Sequence, residues 1–420
     1  MTCEVRHAVL LEFDLASIFL KTTFDLNNIA QNLHSHLKGD KVLWLILAFL
    51  GVLSLLAVYS STGAMAYKYA GGAPEKYLVK QLFFILSGVG IAYLCYNLHY
   101  LHYSRLAPIL FAIAIPLLIY TLLFGPEIND ARRWINIPWI NQKFQTSDFA
   151  KIALIIWVAR SLAIKQDYIK SGKDAFWPII IPVLIVCGLI MPADLSTAGL
   201  LFLTCFLMMF IGRISLKYVA LLLVSGVIFF GFLFVVGNIF PETFRVETWI
   251  SRVQEFLGSS DGDFQVQQSK IAIANGGVFG LGPGNSLQKN HLPYAYADFI
   301  YAIICEEYGI LGGILVIFAY LMLLFRCIKI VTMCPKAFGA ILAMGLGLNI
   351  VIQAFANIAV SVQLVPVTGL TLPLVSMGGT SVWFTCMSIG VILSVSRYVE
   401  QAQAERLELQ QIEERDASDN

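Results

Sequence analysis

At 420 residues the chain is 58% hydrophobic and only 13% charged, whereas a soluble domain carries roughly 25% charged residues. Its formal net charge of +1 leaves no electrostatic footprint for a nucleic-acid partner. Composition therefore excludes an ordinary soluble globule and predicts an all-α integral membrane protein.

Residues 1–41 lack a clean signal-peptide core, because Glu12 and Asp14 interrupt HAVLLEFDLASIFL. They read as a cytoplasmic N-terminal extension. A hydrocarbon core of about 30 Å needs roughly 20 apolar residues per helical span, and about ten such stretches follow. They lie near 43–62, 79–98, 106–124, 147–164, 176–192, 195–212, 216–237, 298–325, 337–362 and 372–396. Charges flank the fourth and prolines interrupt the fifth. An even count puts both termini on one side, and most of the 28 Lys and Arg fall on that side. Positive charge marks it as cytoplasmic. The membrane domain thus runs over 42–397, and the polar, acidic 398–420 reads as a solvated cytoplasmic tail.

The 8 cysteines include no C-x-x-C pair and the 6 histidines no clustered ligand set, so the sequence predicts buried small hydrophobes and no zinc site.

The chemistry concentrates in the outer loops. GPEINDARRWINIPWINQKFQTSDFAK, between spans three and four, holds adjacent Arg132 and Arg133, then Trp134. Arg and Trp can anchor at the interface; paired arginines also suit bidentate phosphate binding. The long outer loop, 238–297, carries ETWISRVQEFLG, an interfacial amphipathic helix, and QVQQSKIAIANGG, a second short helix with Lys270. VFGLGPGNSLQKNHLP follows, a glycine-rich coil with Ser286 and Lys289, which is either a connection or a set of backbone N–H groups able to approach an anion.

Asp298 opens the eighth span, where an aspartate can cap a helix. It can also serve as a carboxylate base beside Arg132, Arg133, Lys270 or Lys289. Glu306 and Glu307 would lie ~12–14 Å further along a continuous helix, about mid-depth. Around that helix Glu306 would sit about 80° from Asp298 and Glu307 about 180°. They are read as packing or partner-coupling carboxyls, because charge at that depth usually faces the protein interior.

Five motifs carry a resemblance: NDARRWI (129–135), PADLSTA (192–198), QVQQSKIAIANGG (265–277), LPYAYADFIYAIICEEYG (292–309) and VTGLTLPLVSMGGTS (367–381). From about Lys41 to Val399 the chain resembles the SEDS family (shape, elongation, division and sporulation), which includes FtsW and RodA. GPGNSLQKNHLP is more similar to the division-type FtsW pattern than to the elongation-type RodA pattern. The chain departs from the family at Ala297, where a threonine is common, and at Gln145-Thr146-Ser147-Asp148, where Gln-Pro-Ser-Glu is common.

The resemblance implies a ten-span fold in the bacterial cytoplasmic (inner) membrane. It implies a peptidoglycan glycosyltransferase using lipid II, with Asp298 as the catalytic residue and release of undecaprenyl diphosphate. Arg132, Arg133 and Lys289 would offset the leaving charge, and a divalent ion, magnesium or manganese, stays open as an addition because no carboxylate cluster fixes a metal. The implied partners are a class B penicillin-binding protein and other division proteins. Two other readings stay open: a lipid II flippase working through Glu306, Glu307 and Asp194, and a non-catalytic scaffold.

Overall fold

The computed structural model describes residues 38–63, 75–127, 131–137, 142–218, 264–292 and 295–418, with isolated positions between 220 and 256. The N-terminal extension, most of the expected seventh span and most of ETWISRVQEFLG lie outside the described residues. The regular structure of the described chain is helical apart from one hairpin, as hydrocarbon demands where every backbone N–H and C=O must be satisfied internally. The helices are α1 (Lys41–Ser61), α2 (Glu75–Asn97), α3 (Leu101–Phe124), α4 (Thr146–Ile164), α5 (Trp177–Ile190), α6 (Leu195–Ile211), α7 (Phe264–Gly276), α8 (Ile300–Met333), α9 (Ala337–Ser361) and α10 (Thr380–Ser418). Strands β1 (Trp134–Ile137) and β2 (Gln142–Gln145) pair antiparallel, Trp134 facing Gln145, and lead directly into α4.

Among the described residues, 7 helices are long and apolar enough to cross a membrane. α6 falls short by length, and α4 carries Asp148, Lys151 and Arg160. Yet α4 is buried over most of its surface, so Asp148 and Lys151 face protein. α2 and α3 instead expose large apolar side chains such as Leu86, Leu94, Leu123 and Phe124, as surfaces toward lipid do. The prolines expected to interrupt the fifth span are accommodated: one lies in the first turn of α5, where no N–H is needed, and Pro182 sits inside it.

Small residues let helices approach closely. A Cβ on Gly390 of α10 would lie 2.4 Å from the Ala92 carbonyl of α2, and one on Gly88 of α2 would lie 2.8 Å from Cys386 of α10. At one end of the bundle Asp40 caps α1 through Val42 N–H (3.0 Å), pairs with Arg326 of α8 and donates its own N–H to Ser396 of α10 (2.9 Å). Beyond Tyr398 helix α10 runs on with exposed polar residues.

α8 is not the continuous helix that its periodicity suggests. Gly309 breaks it with φ 70° and ψ −171°. Residues 300–307 are all buried, whereas Ile310, Leu311, Ile314, Leu315 and Phe318 begin an exposed apolar face. The stretch 310–333 is long enough by itself to cross about 30 Å of hydrocarbon. The segment before the break belongs with the loops: Gly282 N–H donates to Glu307 O (3.0 Å), Leu281 N–H to Glu306 O (2.9 Å), and Ile310 N–H to Gly277 O (2.9 Å). Glu306 and Glu307 therefore do not project from a plain transmembrane helix at mid-depth; they sit where the glycine coil docks onto a broken helix.

Candidate functional site

Asp298 does not cap α8. Phe299 holds the cap position, so the carboxylate is left to other work, and its backbone is held from the other side. Asn357 Nδ2 of α9 donates to Asp298 O (2.7 Å), Ser376 Oγ to Ala297 O (2.6 Å), and Met377 N–H to Tyr296 O (3.0 Å). Three consecutive carbonyls are thus pinned by α9 and by the turn that precedes α10. That turn needs left-handed backbone at Gly369 and Leu374, φ 68° and 65°, and Ser376 ties it by accepting from Leu372 N–H (2.8 Å).

Two arginines and one aspartate act on the Asp298 carboxyl through their charge. Burial pushes its pKa up to about 6; the Arg133 and Arg252 guanidiniums pull it back, while the Asp194 carboxylate raises it further. Arg133 is itself fixed, Nη1 3.2 Å from Asp194 Oδ2 and Nε donating to Ala193 O (2.7 Å). Asp194 Oδ1 caps α6 through Thr197 N–H (3.0 Å), and Arg252 Nη1 donates to Val367 O (3.1 Å). A half-buried base near fixed cations can take a proton while the cations stabilise an anion.

The other residues singled out in the sequence fall into separate places. Arg132 lies beside Arg133 but reaches Leu123 O (3.0 Å) and Glu127 (3.6 Å). Trp134 begins the hairpin. Lys270, on α7, donates to Gln363. Ser286 donates to Glu306, whose carboxylate also accepts from Leu287 N–H (3.2 Å) and Gln288 N–H (3.3 Å). Ser60 of α1 donates to Glu307. Lys289 folds back onto Gly284 O (2.6 Å). Among the described residues no hydrogen bond or ion pair joins Lys270, Ser286 or Lys289 to Asp298; Ser286 and Lys289 lie instead about Glu306 and Glu307.

A third polar group lies between α4 and α9, where Lys151 is 2.8 Å from Asp148 and donates to Gln353 Oε1 (3.2 Å). Gln353 Nε2 in turn donates to Thr371 O (3.0 Å). Among the described residues no three His, Cys, Asp or Glu side chains gather as a metal centre.

Arg252, Asn357 and Ser376 escaped the sequence reading as contributors here. Each acts on a backbone carbonyl supplied by a distant segment; the motif around Ser376 and the amphipathic stretch around Arg252 were singled out, but not these side chains.

Comparisons with known proteins agree with this architecture. The sequence model of the FtsW/RodA/SpoVE family, described as "Cell cycle protein", matches residues 40–401. The chain is 34% identical over 364 residues to stage V sporulation protein E of Bacillus subtilis, covering 86% of this chain and 97% of that one. It is 33% identical over 366 residues to the probable peptidoglycan glycosyltransferase FtsW of Trichlorobacter lovleyi, covering 85% and 93%. A chain solved in work on the structural coordination of polymerization and crosslinking by a peptidoglycan synthase complex superposes with a TM-score of 0.68 at 24% identity, covering 86% and 98%. A match through every described helix, with the Asp298 turn, the Arg133 loop and the Ser376 turn all inside it, leaves one conclusion: the chain belongs to the FtsW/RodA/SpoVE family of multi-pass membrane proteins.

Proposed function

We propose that this chain is the peptidoglycan glycosyltransferase of septal wall synthesis, polymerising lipid II into β-1,4 glycan strands. The observation that carries the reading is the Asp298 carboxyl, raised to about 6 by burial and flanked by Arg133 and Arg252. The names of relatives matched over nearly the whole chain support it.

In the reaction Asp298 takes the proton from the C4 hydroxyl of the acceptor GlcNAc as that oxygen attacks the anomeric carbon of the donor MurNAc. The new C–O bond forms as the bond to undecaprenyl diphosphate breaks, with inversion. A group titrating near 6 is ionised at neutral pH and a stronger base than a solvated aspartate at about 3.9. Arg133 offsets the charge that develops on the leaving diphosphate, and Asp194 holds its guanidinium in place.

The finer architecture belongs to the same proposal: ten spans in the inner membrane, both termini cytoplasmic, and an outer loop 238–297 that delivers Asp298 to the outer face. Residues 1–41 form a cytoplasmic extension and 398–420 a cytoplasmic tail. Crosslinking falls to a class B penicillin-binding protein within the division machinery, a pairing supported by the fold's likeness to a chain from a synthase complex.

One observation favours a flippase as second reading, the buried Asp148–Lys151–Gln353 group, because ionisable groups between membrane helices mark pathways. A proteoliposome assay of the chain with its partner, reading both polymer and lipid II transfer between leaflets, separates the two. The transferase reading expects Asp298→Asn to abolish polymer and no variant to alter leaflet transfer. Leaflet transfer lost in Asp148→Asn with polymer intact in Asp298→Asn would move the flippase ahead. Polymer unchanged across all acidic variants would favour a scaffold.

A further inference from the structure

The corner between α2 and α3 gathers positive charge at the end of the bundle away from Asp298. α9 meets Asp298 through Asn357, near its C-terminus, so its start lies about 30 Å away along the helix. Tyr100 is the hub of the corner: fully buried, it stacks on Phe338 of α9 (ring centroids 6.2 Å) and leans on Tyr398 of α10 (4.9 Å). Ser394 of α10 holds the turn by donating to Leu98 O (2.5 Å), and a Cβ on Gly339 would lie 3.0 Å from the Tyr100 ring. The corner is wedged between the start of α9 and the flank of α10, which gives the side chains around it fixed places.

Four basic side chains converge there. His99 stacks on Tyr100 (5.1 Å) and meets His102 edge-on (6.1 Å). Partial burial, and then the charges of His102, Lys336 and Arg397, hold the His99 pKa below its ordinary value. Arg397 is oriented by Tyr96, whose ring centre lies 5.2 Å from the guanidinium carbon, and by Asn97 Oδ1 (3.5 Å). Lys336 is exposed and takes the cap position of α9, where its side chain offers no acceptor to the first-turn N–H groups, so the positive end of the helix dipole adds to the field. Among the described residues none of the four is in an ion pair. The acids of this end have other partners: Asp40 pairs with Arg326, and Glu400, one turn beyond Arg397, accepts from Gly39 N–H. Basic groups that packing holds together, with no counter-charge from the fold, are stabilised by an anion from outside.

What lies next to the corner is apolar. His102, Leu106, Ile109 and Ile113 fall on one face of α3, at i, i+4, i+7 and i+11, and the last three are 38%, 57% and 47% exposed. An exposed apolar stripe that runs from a basic corner toward the middle of a membrane helix matches a phospholipid, with phosphate at the corner and acyl chain along the stripe. A soluble anion or an acidic peptide would use the corner and leave the stripe uncovered.

We propose that this corner binds the headgroup phosphate of an anionic phospholipid, held by Lys336, Arg397 and the His99–His102 pair, with an acyl chain along α3. The lipid bridges α3 to α9 and α10 and fastens this end of the bundle. Calling its leaflet cytoplasmic rests on the orientation proposed above; the binding itself does not.

The test is native mass spectrometry of the full chain released from mixed micelles of phosphatidylglycerol and phosphatidylcholine, with the melting temperature measured alongside. Wild type should retain phosphatidylglycerol over phosphatidylcholine and melt higher in it. Lys336→Gln changes an exposed side chain and leaves the packing intact; it should weaken phosphatidylglycerol about 5-fold, and the double variant with Arg397→Gln about 25-fold, as expected for cations facing an anionic headgroup. Lys217→Gln removes an exposed cation beyond the end of α6, outside the corner, and should change nothing. If the double variant fails to fold, Lys336→Gln against Lys217→Gln decides. Equal losses in those two overturn the proposal, because the attraction is then diffuse, and equal retention of the two lipids overturns it as well. Inorganic phosphate that displaces phosphatidylglycerol also overturns it, making the corner a site for a soluble anion. A micelle has no leaflets and the readout involves no polymer, so neither the orientation nor the transferase reading enters the result.

Discussion

Asp298 owes its raised pKa to burial, and that has consequences of opposite sign for activity and stability. For activity, the base must be ionised, so kcat/KM should fall as pH drops through about 6. Arg133→Gln removes a cation that lowers this pKa and frees Asp194, which raises it; the acid limb should move to higher pH, with kcat falling about 100-fold. A limb that stays in place in the variant would separate Arg133 from the base. For stability, an acid whose pKa is higher folded than unfolded contributes stability below the unfolded value, lost as pH rises through the folded one. Asp298→Asn removes that loss. The variant should melt above wild type at pH 7.5, by at most about 3 kcal/mol, and the gap should close between pH 6 and 4. Asp298 was legible from its place beside an apolar run and from its motif. Arg252, Asn357 and Ser376 were not, because a residue that holds the carbonyl of a distant segment leaves no local pattern.

Among the elements, the broken α8 is the least expected and has the clearest mechanical role. A Cβ on Gly309 would lie 2.2 Å from Val278 O, and one on Gly280 would lie 2.2 Å from Glu307 O, so two left-handed glycines let coil and helix share backbone hydrogen bonds. Glu306 then closes the junction by accepting from Ser286 and the two N–H groups that follow it. Glu306→Ala strands those donors in a buried place and should cost about 2–4 kcal/mol, read as a lower melting temperature and faster proteolysis in the 278–292 coil. Ser286→Ala should cost about 1 kcal/mol. If Glu306→Ala melts like wild type, the junction is not what holds the coil. The sequence placed Glu306 and Glu307 correctly among buried carboxyls but not at this junction, because an apolar run on both sides of Gly309 mimics one uninterrupted helix. The i,i+3 pair Asp148 and Lys151 misled in a milder way: charges that seemed to flank a span lie inside an enclosed one.

At the scale of the molecule, the apolar runs of the sequence coincide with described helices, since the length of an apolar run is fixed by bilayer thickness. They could not say which helices are enclosed. That depends on small-residue contacts such as Gly390 on Ala92 and on polar ties such as Gln81 to Ser54 (2.8 Å) and Ser54 to Val375 O (2.8 Å). The resulting arrangement encloses α4, α9 and the apolar part of α10, with the Asp298 turn, the Arg133 loop and the Ser376 turn meeting at one end. The Asp40–Arg326 pair ties α1 to α8 elsewhere. Catalysis in this account is a property of that one end, assembled from segments spread from Arg133 to Ser376, and it needs the bundle intact.

The measurement that tests this most directly is single-turnover polymerisation of lipid II by the chain in complex with its penicillin-binding partner. Wild type and Asp298→Asn are compared at equal folded yield and equal complex content. The account predicts that the Asn variant loses about 100- to 10,000-fold in the rate of the first transfer while still binding lipid II. A variant that polymerises within a few-fold of wild type would contradict it, since the carboxylate whose backbone the fold clamps and whose charge lies near two arginines would then have no part in the proton transfer.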